Sequence, residues 1–258
     1  MAESQPDATV VSSARMWNYI LGGTENFEID RVVGDRVVAS FPGIVVLARE
    51  QRKLLVRLVT YLVAEAGVRQ FLDIGAGLPA ANSTHEVARR LAPEARVVYV
   101  DKDPLVRAHA RALLASGPAG TTDYVHCDAE QPDALLREAA RTLDLTAPVA
   151  IIMCGLLGNV TDHSRAVEIT AALRDGVPSG SYLAVSDGTD TDPGFVEAVR
   201  RANAAGHPYH LRSPAQIAAY LDGLDPVPPG VVSIPHWRPE PGASPPAMHG
   251  YCGLARKP

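Results

Sequence analysis

Phe71-Leu72-Asp73-Ile74-Gly75-Ala76-Gly77 decides how this chain folds. An apolar run of strand length ends in an acid, and a Gly-x-Gly turn then leads toward a helical pattern that begins near Asn82. Glycine permits the tight turn and lets a ligand lie against bare backbone. Dinucleotide-binding loops follow Gly-x-Gly-x-x-Gly and hold a pyrophosphate at the helix N-terminus. Ala80 stands at the third position here, which that pattern accepts. Taken alone, the loop also fits a plain tight turn.

Outward from this loop, strand-like and helix-like runs alternate. Strands are predicted over 70–74, 96–100, 123–127, 149–153 and 181–186. Helices are predicted over 82–91, 104–115, 132–142, 164–173 and 193–205. Such alternation implies an α/β fold, a mostly parallel Rossmann-like sheet with helices on both faces. The ending differs. Ser213-Pro214 opens one more helix that ends near Gly223, and the strand-like runs 231–235 and 249–255 have no helix between them, which predicts a C-terminal antiparallel hairpin. Upstream, 13–21 reads as a short helix stopped by Gly22-Gly23. A second helix covers 30–40, and a long amphipathic one covers 44–66. The predicted organisation is a loose tail over 1–12, a helical cap over 13–67 and an α/β domain over 68–258, the last two forming one compact unit.

Composition narrows the function classes. The 258 residues carry 24 Lys plus Arg against 29 Asp plus Glu, a net charge of −5, which argues against a nucleic-acid footprint. Cys127, Cys154 and Cys252 are far apart with no CxxC pair, so neither a metal site nor a disulfide framework is expected, and a reducing cytoplasm is. The start of the chain has no basic n-region, which argues against a secretory signal. The apolar stretch 44–66 contains Arg49, Glu50, Arg52, Lys53 and Arg57, so it is not expected to cross a membrane.

Three successive strands end in acids: Asp73, Asp101 and Asp128. Strand C-termini of a parallel sheet line the ligand crevice. Asp101 lies 24 residues beyond Gly77, close to the interval at which an acid accepts from ribose hydroxyls. Each acid could instead cap a turn, and Asp103 before Pro104 is the better placed for that role. Together with the glycine loop, the three favour a nucleoside-like ligand. A Rossmann dehydrogenase would leave Asp128 and the terminal hairpin unexplained.

Asp73-Ile74-Gly75-Ala76-Gly77, Asp101 and Asp128-Ala129 together resemble a class I S-adenosylmethionine-dependent methyltransferase. The segment from Ser13 to Arg31 is similar to the signature of an actinobacterial S-adenosyl methyltransferase family, formerly a domain of unknown function. So are Phe41-Pro42-Gly43, Gly77-Leu78-Pro79, Thr84-His85-Glu86-Val87-Ala88 and Val98-Tyr99-Val100-Asp101. The resemblance implies S-adenosylmethionine as cofactor and S-adenosylhomocysteine as product. It implies that Asp73, Gly75 and Gly77 meet the methionine portion, and that Asp101 binds the ribose diol with Lys102 beside the adenine. Asp128 would face the adenine amino group and Ala129 its ring. Cys154 and Gly155 would border the methyl-transfer position. The segment containing Tyr19, Gly22, Gly23 and Asn26 would fold over the cofactor as a lid. The chain departs from its relatives after the fourth strand. Relatives commonly carry an apolar pair followed by His there, in a Leu-His-like arrangement, whereas this chain reads Met153-Cys154-Gly155-Leu156-Leu157-Gly158-Asn159 and meets its first histidine at His163.

The catalytic candidates are His85, Asn159 and His163. Asp187, Asp190 and Asp192 after the fifth strand read as a solvated loop rather than a metal site. His207, His210 and His236 read as surface or packing residues. Trp17, Phe27, Tyr209 and Trp237 could wall a small-molecule pocket or serve as core. The expected function is methyl transfer to a small molecule, with specialised metabolism as its setting. The missing histidine leaves open an enzyme of the same fold that cyclises, isomerises or eliminates, and tight binding without turnover would mark a non-catalytic sensor. The expected partners are a small-molecule substrate, with neither nucleic acid nor membrane. The oligomeric state stays open, a homodimer included.

Overall fold

The computed structural model describes residues 6–106, 108, 122–204 and 208–258. Three helices come first: α1 (Ser13–Ile20), α2 (Glu28–Ser40) and α3 (Gly43–Ala64). The alternating part contains β1 (Gln70–Ile74), α4 (Thr84–Leu91), β2 (Arg96–Asp101), β3 (Thr122–His126), α5 (Pro132–Ala139), β4 (Ala150–Cys154), α6 (His163–Asp175), β5 (Tyr182–Gly188) and α7 (Pro193–Ala204). It ends with α8 (Pro214–Ala219), β6 (Asp225–Pro226), β7 (Val232–Ser233) and β8 (Gly250–Arg256). The expected helix over 104–115 lies mostly outside the described residues; those of its residues that are described, 104–106 and 108, are helical. His207 also lies outside them.

The strands form one sheet in the order β3–β2–β1–β4–β5–β8–β6, parallel from β3 to β5. β8 runs antiparallel to β5 from Tyr182↔Arg256 to Gly188↔Gly250. The terminal pair is therefore antiparallel, as expected, but its main partner is different. β7 pairs with β8 over two residues only, and the chain then enters a 3₁₀ turn at Ile234–His236. Pro235 has no N–H to offer a ladder, so the strand predicted over 231–235 stops early. The two-residue β6, too short for a periodic signal, takes up the rest of the same β8 edge.

Side-chain alternation along the strands feeds two cores. Phe71, Val97, Ile152, Ala184 and Leu254 face the N-terminal helices, α4 and α7, in one cluster that also contains Leu54, Leu58, Leu62 and Trp237. Leu72, Val98, Ile151, Met153 and Leu183 face α5, α6 and α8 on the other side. Burial on both faces explains why these strands read as continuous apolar runs. The helices start where side chains satisfy orphan N–H groups. Ser83 and Glu86 form a capping box for α4, Asp162 accepts from Ser164 N at α6, and Ser213 and Gln216 cap α8.

The N-terminal helices share the sheet's core. Arg57 on α3 donates to the carbonyls of Trp237 and Ile234 at 2.9 and 2.8 Å, tying α3 to the turn after β7. Arg15 on α1 is buried and donates to Asp30 on α2 at 2.9 Å. Asp103, just past β2, accepts from Ser12 Oγ. Residues 7–12, read above as a loose tail, are thus held against the sheet's C-terminal end. No helix among the described residues is long and apolar enough to cross a membrane.

Candidate functional site

The C-terminal ends of β1, β2, β4 and β5 open into a cavity of about 900 Å³. The sheet supplies its floor, and residues 7–23, α3 and α7 supply its walls. Such a volume holds a small ligand, or a cofactor with a small acceptor beside it.

The glycine loop forms the floor. Gly75 turns at φ +72° and its N–H donates to Val100 O at 2.8 Å, bonding the loop to β2. A Cβ at Gly75 would lie 2.7 Å from Leu156 Cδ1, so the close approach of the loop after β4 also requires glycine. Gly77 turns at φ +67°, and open space lies where its Cβ would stand. Its N–H donates to Asp101 Oδ2 at 2.9 Å. The other oxygen of Asp101 accepts from Asp103 N at 2.9 Å. Burial pushes the Asp101 carboxyl up, and the two backbone donors oppose that shift.

Asp73 is buried beneath the loop and accepts from Thr84 Oγ1 at 2.6 Å. Burial raises its pKa to about 6; the Thr84 hydroxyl and the nearby Arg52 pull the other way. An acid with a folded pKa above its unfolded value of about 3.9 contributes most stability below that unfolded value. The contribution is lost as pH rises through about 6. Asp73→Asn will therefore be more stable than the parent at pH 7.5, by on the order of 2–3 kcal/mol for two pKa units, and will show no gain at pH 4. Urea unfolding at both pH values tests this, and an equal difference at the two would contradict it. Asp187 shifts in the same direction and keeps its own share in the variant.

Further along the rim, Lys102 Nζ pairs with Asp128 Oδ2 at 3.0 Å. Ala129 is buried beside them, and all three line the cavity. Cys154 and Gly155 line the cavity at the end of β4. Gly155 turns at φ +72°, and a Cβ there would meet Gln51 Nε2 of α3 at 2.6 Å. Burial raises the Cys154 thiol to about 12, so it stays protonated.

The structure brings most of the expected residues to this cavity: Asp73, Gly75, Gly77, Asp101, Lys102, Asp128, Ala129, Cys154, Gly155, Gly22, Gly23 and Asn159. It does not bring Tyr19 or Asn26 there. Tyr19 donates to Asp35 of α2 at 2.6 Å, and Asn26 donates to Asn18 Oδ1 and Gly23 O at 3.0 and 2.9 Å. Both hold the turn after α1 in shape from outside. His85 also faces elsewhere, with Nδ1 2.8 Å from the Tyr99 hydroxyl. His163 packs on Tyr220 with ring centroids 5.3 Å apart. Asn159 reaches the cavity, and its amide donates to Leu156 O and Gly155 O at 3.0 and 3.2 Å, bracing the loop after β4.

Two residues at the site, Asp187 and Tyr209, form a pair that the sequence did not signal, although Tyr209 was among the residues read above as able to wall a pocket. Asp187, read above as part of a solvated loop, is buried at the end of β5. Only Asp190 and Asp192 lie toward solvent, and among the described residues no cluster could hold a metal ion. Asp187 Oδ1 accepts from Tyr209 Oη at 2.6 Å and from Gly158 N at 3.2 Å. Tyr209 lines the cavity. Nothing local to either residue signals a pairing across 22 positions.

This geometry can be set beside known proteins. The chain matches the S-adenosyl methyltransferase family over residues 1–258. It belongs to that family. A DUF574 family protein from Streptomyces avermitilis is 40% identical, with a TM-score of 0.91, over 98% of this chain and 99% of that one. A candidate methyltransferase from Thermobifida fusca is 37% identical, with a TM-score of 0.92, over 97% and 96%. N-methyltransferase NodS from Bradyrhizobium japonicum, in complex with S-adenosyl-L-homocysteine, is 17% identical, with a TM-score of 0.52, over 82% and 87%, and shows the shared fold. A search of the curated proteins finds no match. The family member is an S-adenosylmethionine-dependent methyltransferase, and its own residues fit that cofactor. Gly77 leaves a bare cradle, and each Asp101 oxygen keeps lone-pair capacity beyond its one backbone donor.

Proposed function

We propose that this family member methylates a small molecule of specialised metabolism, working in the cytoplasm. The observation that carries the small-molecule reading is the walling of the cavity. Residues 7–23 and α3 cover the ends of β1 and β4 and leave about 900 Å³, a chamber for a low-molecular-weight acceptor rather than a polymer groove. The actinobacterial signature of the N-terminal segment supports the metabolic setting, and three unpaired cysteines support a reducing compartment.

Bound S-adenosylmethionine supplies an electrophilic methyl group, so the protein's task is to hold and orient. In this reading Asp101 accepts from the ribose hydroxyls, and Asp73 and the 75–77 loop receive the amino-acid end. Lys102, Asp128 and Ala129 border the adenine. Gly22 and Gly23 sit on the covering wall, while Tyr19 and Asn26 shape that wall without touching the ligand. Cys154 and Gly155 mark the boundary between cofactor and acceptor.

Calorimetric titration with S-adenosylmethionine, S-adenosylhomocysteine and NAD tests the cofactor half. Micromolar binding of the two sulfur compounds and none of NAD is expected. A metabolite extract supplied with methyl-labelled cofactor tests the acceptor half, and the label is expected in the low-molecular-weight fraction. Label in protein or nucleic acid would refute a small acceptor.

A further inference from the structure

The geometry points to Tyr209 and Asp187 as the acceptor subsite, built for an apolar, aromatic acceptor that presents a hydroxyl group to Tyr209 Oη. The inference rests on the proposed small-molecule methyl transfer and names the acceptor's class.

The subsite is tightly built. Asn203 on α7 grips the backbone of Tyr209 from both sides: its amide donates to Tyr209 O and its carbonyl accepts from Tyr209 N, each at 2.8 Å. His210 N donates to Gly158 O at 2.7 Å and fixes the same segment to the loop after β4. A Cβ at Gly158 would lie 2.3 Å from Tyr209 Cζ, so glycine is needed for the ring to lie there. The hydroxyl donates to Asp187 Oδ1 and accepts from Gly188 N at 3.2 Å. Its oxygen can accept one further hydrogen bond. Ile44, Leu47, Phe195, Val199 and Ala202 line the same cavity as Tyr209 and give it an apolar wall.

Asp187 is 1% exposed, and its Oδ2 makes no hydrogen bond of good geometry, with the Leu157 N–H the nearby backbone donor that also favours its ionised form. A half-satisfied buried carboxylate is costly, and such groups gather at functional sites. Burial raises Asp187 to about 6, so it is ionised at neutral pH and able to take a proton. Tyr209, Arg212, Tyr220 and Cys154 are the titratable and charged groups that act on it.

A hydroxyl acceptor must lose its proton as its oxygen bonds to carbon. The acceptor oxygen forms its bond to the methyl carbon, and the carbon–sulfur bond breaks with its electron pair left on sulfur. The acceptor proton passes to Tyr209 Oη while Tyr209 passes its own to Asp187 Oδ1. Tyrosine ends neutral and the carboxyl protonated. This pair supplies what a histidine after the fourth strand would otherwise provide.

The test uses protein saturated with S-adenosylhomocysteine, whose binding is measured first. The probes are 2-naphthol and 2-methoxynaphthalene. At pH 7.5, 2-naphthol is expected to bind on the order of tenfold tighter, from one hydrogen bond to a partner of an ionised group. Tyr209→Phe is expected to abolish that preference and keep binding of the methoxy probe. As pH falls through about 6, a protonated Asp187 donates to Tyr209, whose own proton then turns toward the cavity. The preference should shift toward the methoxy probe, and Asp187→Asn should lose this pH dependence. Equal binding of the two probes, absence of naphthol binding, or a preference unchanged in Tyr209→Phe overturns the subsite. Failure of S-adenosylhomocysteine to bind the parent protein overturns the cofactor reading itself, and the subsite with it.

Discussion

Arg15→Ala will destabilise this protein by about 3–5 kcal/mol, the range for breaking one side of a buried ion pair. Arg15 is 3% exposed and Asp30 is fully buried, with Nε 2.9 Å from Oδ2. The guanidinium also approaches Asp103 Oδ2 at 3.9 Å, donates to the carbonyls of Asp7 and Val10, and lies 4.7 Å from the Phe27 ring centroid. Among the described residues, alanine leaves Asp30 with the N–H groups of Ser12 and Phe27, both at 2.9 Å. For a chain of this length the loss corresponds to a fall in Tm on the order of 10 °C. Denaturant unfolding of Arg15→Ala, Asp30→Asn and the double variant measures the coupling. A loss under about 1 kcal/mol would show that the pair is solvated, as surface ion pairs are. The same network joins residues 7–15 to Asp103, so the variant is also expected to loosen the cavity wall.

Asp101→Ala will weaken S-adenosylmethionine binding on the order of 100-fold, about 3 kcal/mol for two hydroxyl bonds to a carboxylate. Asp101 has two tasks. It holds the Gly77 turn through Oδ2 and the Asp103 turn through Oδ1, and both oxygens retain capacity for a diol. Alanine removes the acceptors and releases both turns. Releasing both turns also costs some stability, and relief of the buried carboxylate offsets part of that cost. Asp101→Asn keeps an acceptor without the charge and is expected to fall between the two. Calorimetry against S-adenosylhomocysteine reads the effect, and a loss under threefold would remove Asp101 from the cofactor's contacts.

β1, β4 and β5 were legible because they are buried on both faces and so read as mostly apolar runs, whereas the edge strand β3, half-buried, showed only its place in the alternation. The glycine loop was legible because Gly75 and Gly77 occupy left-handed backbone that other residues resist. Asp101 and Asp128 were legible from their position at strand ends. Weak or long-range signals misled. The two-residue β6 offers no period to read, and Pro235 ended a strand that hydropathy would have continued. Tyr19 and Asn26 lie in a motif whose resemblance suggested a lid, yet their hydrogen bonds run to Asp35, Asn18 and Gly23.

The sequence by itself determined the α/β class, the order of elements, the glycine loop and the acids at the strand ends. These depend on local backbone preference and on burial period, which neighbouring residues encode. Tertiary structure alone decided that Asp187 is buried, that Tyr209 reaches it, and that residues 7–15 close against Asp103. Each of these depends on desolvation and on hydrogen bonds between segments far apart in the chain. An aspartate in a Gly-Thr-rich stretch looks the same in sequence whether water or a tyrosine hydroxyl completes its shell.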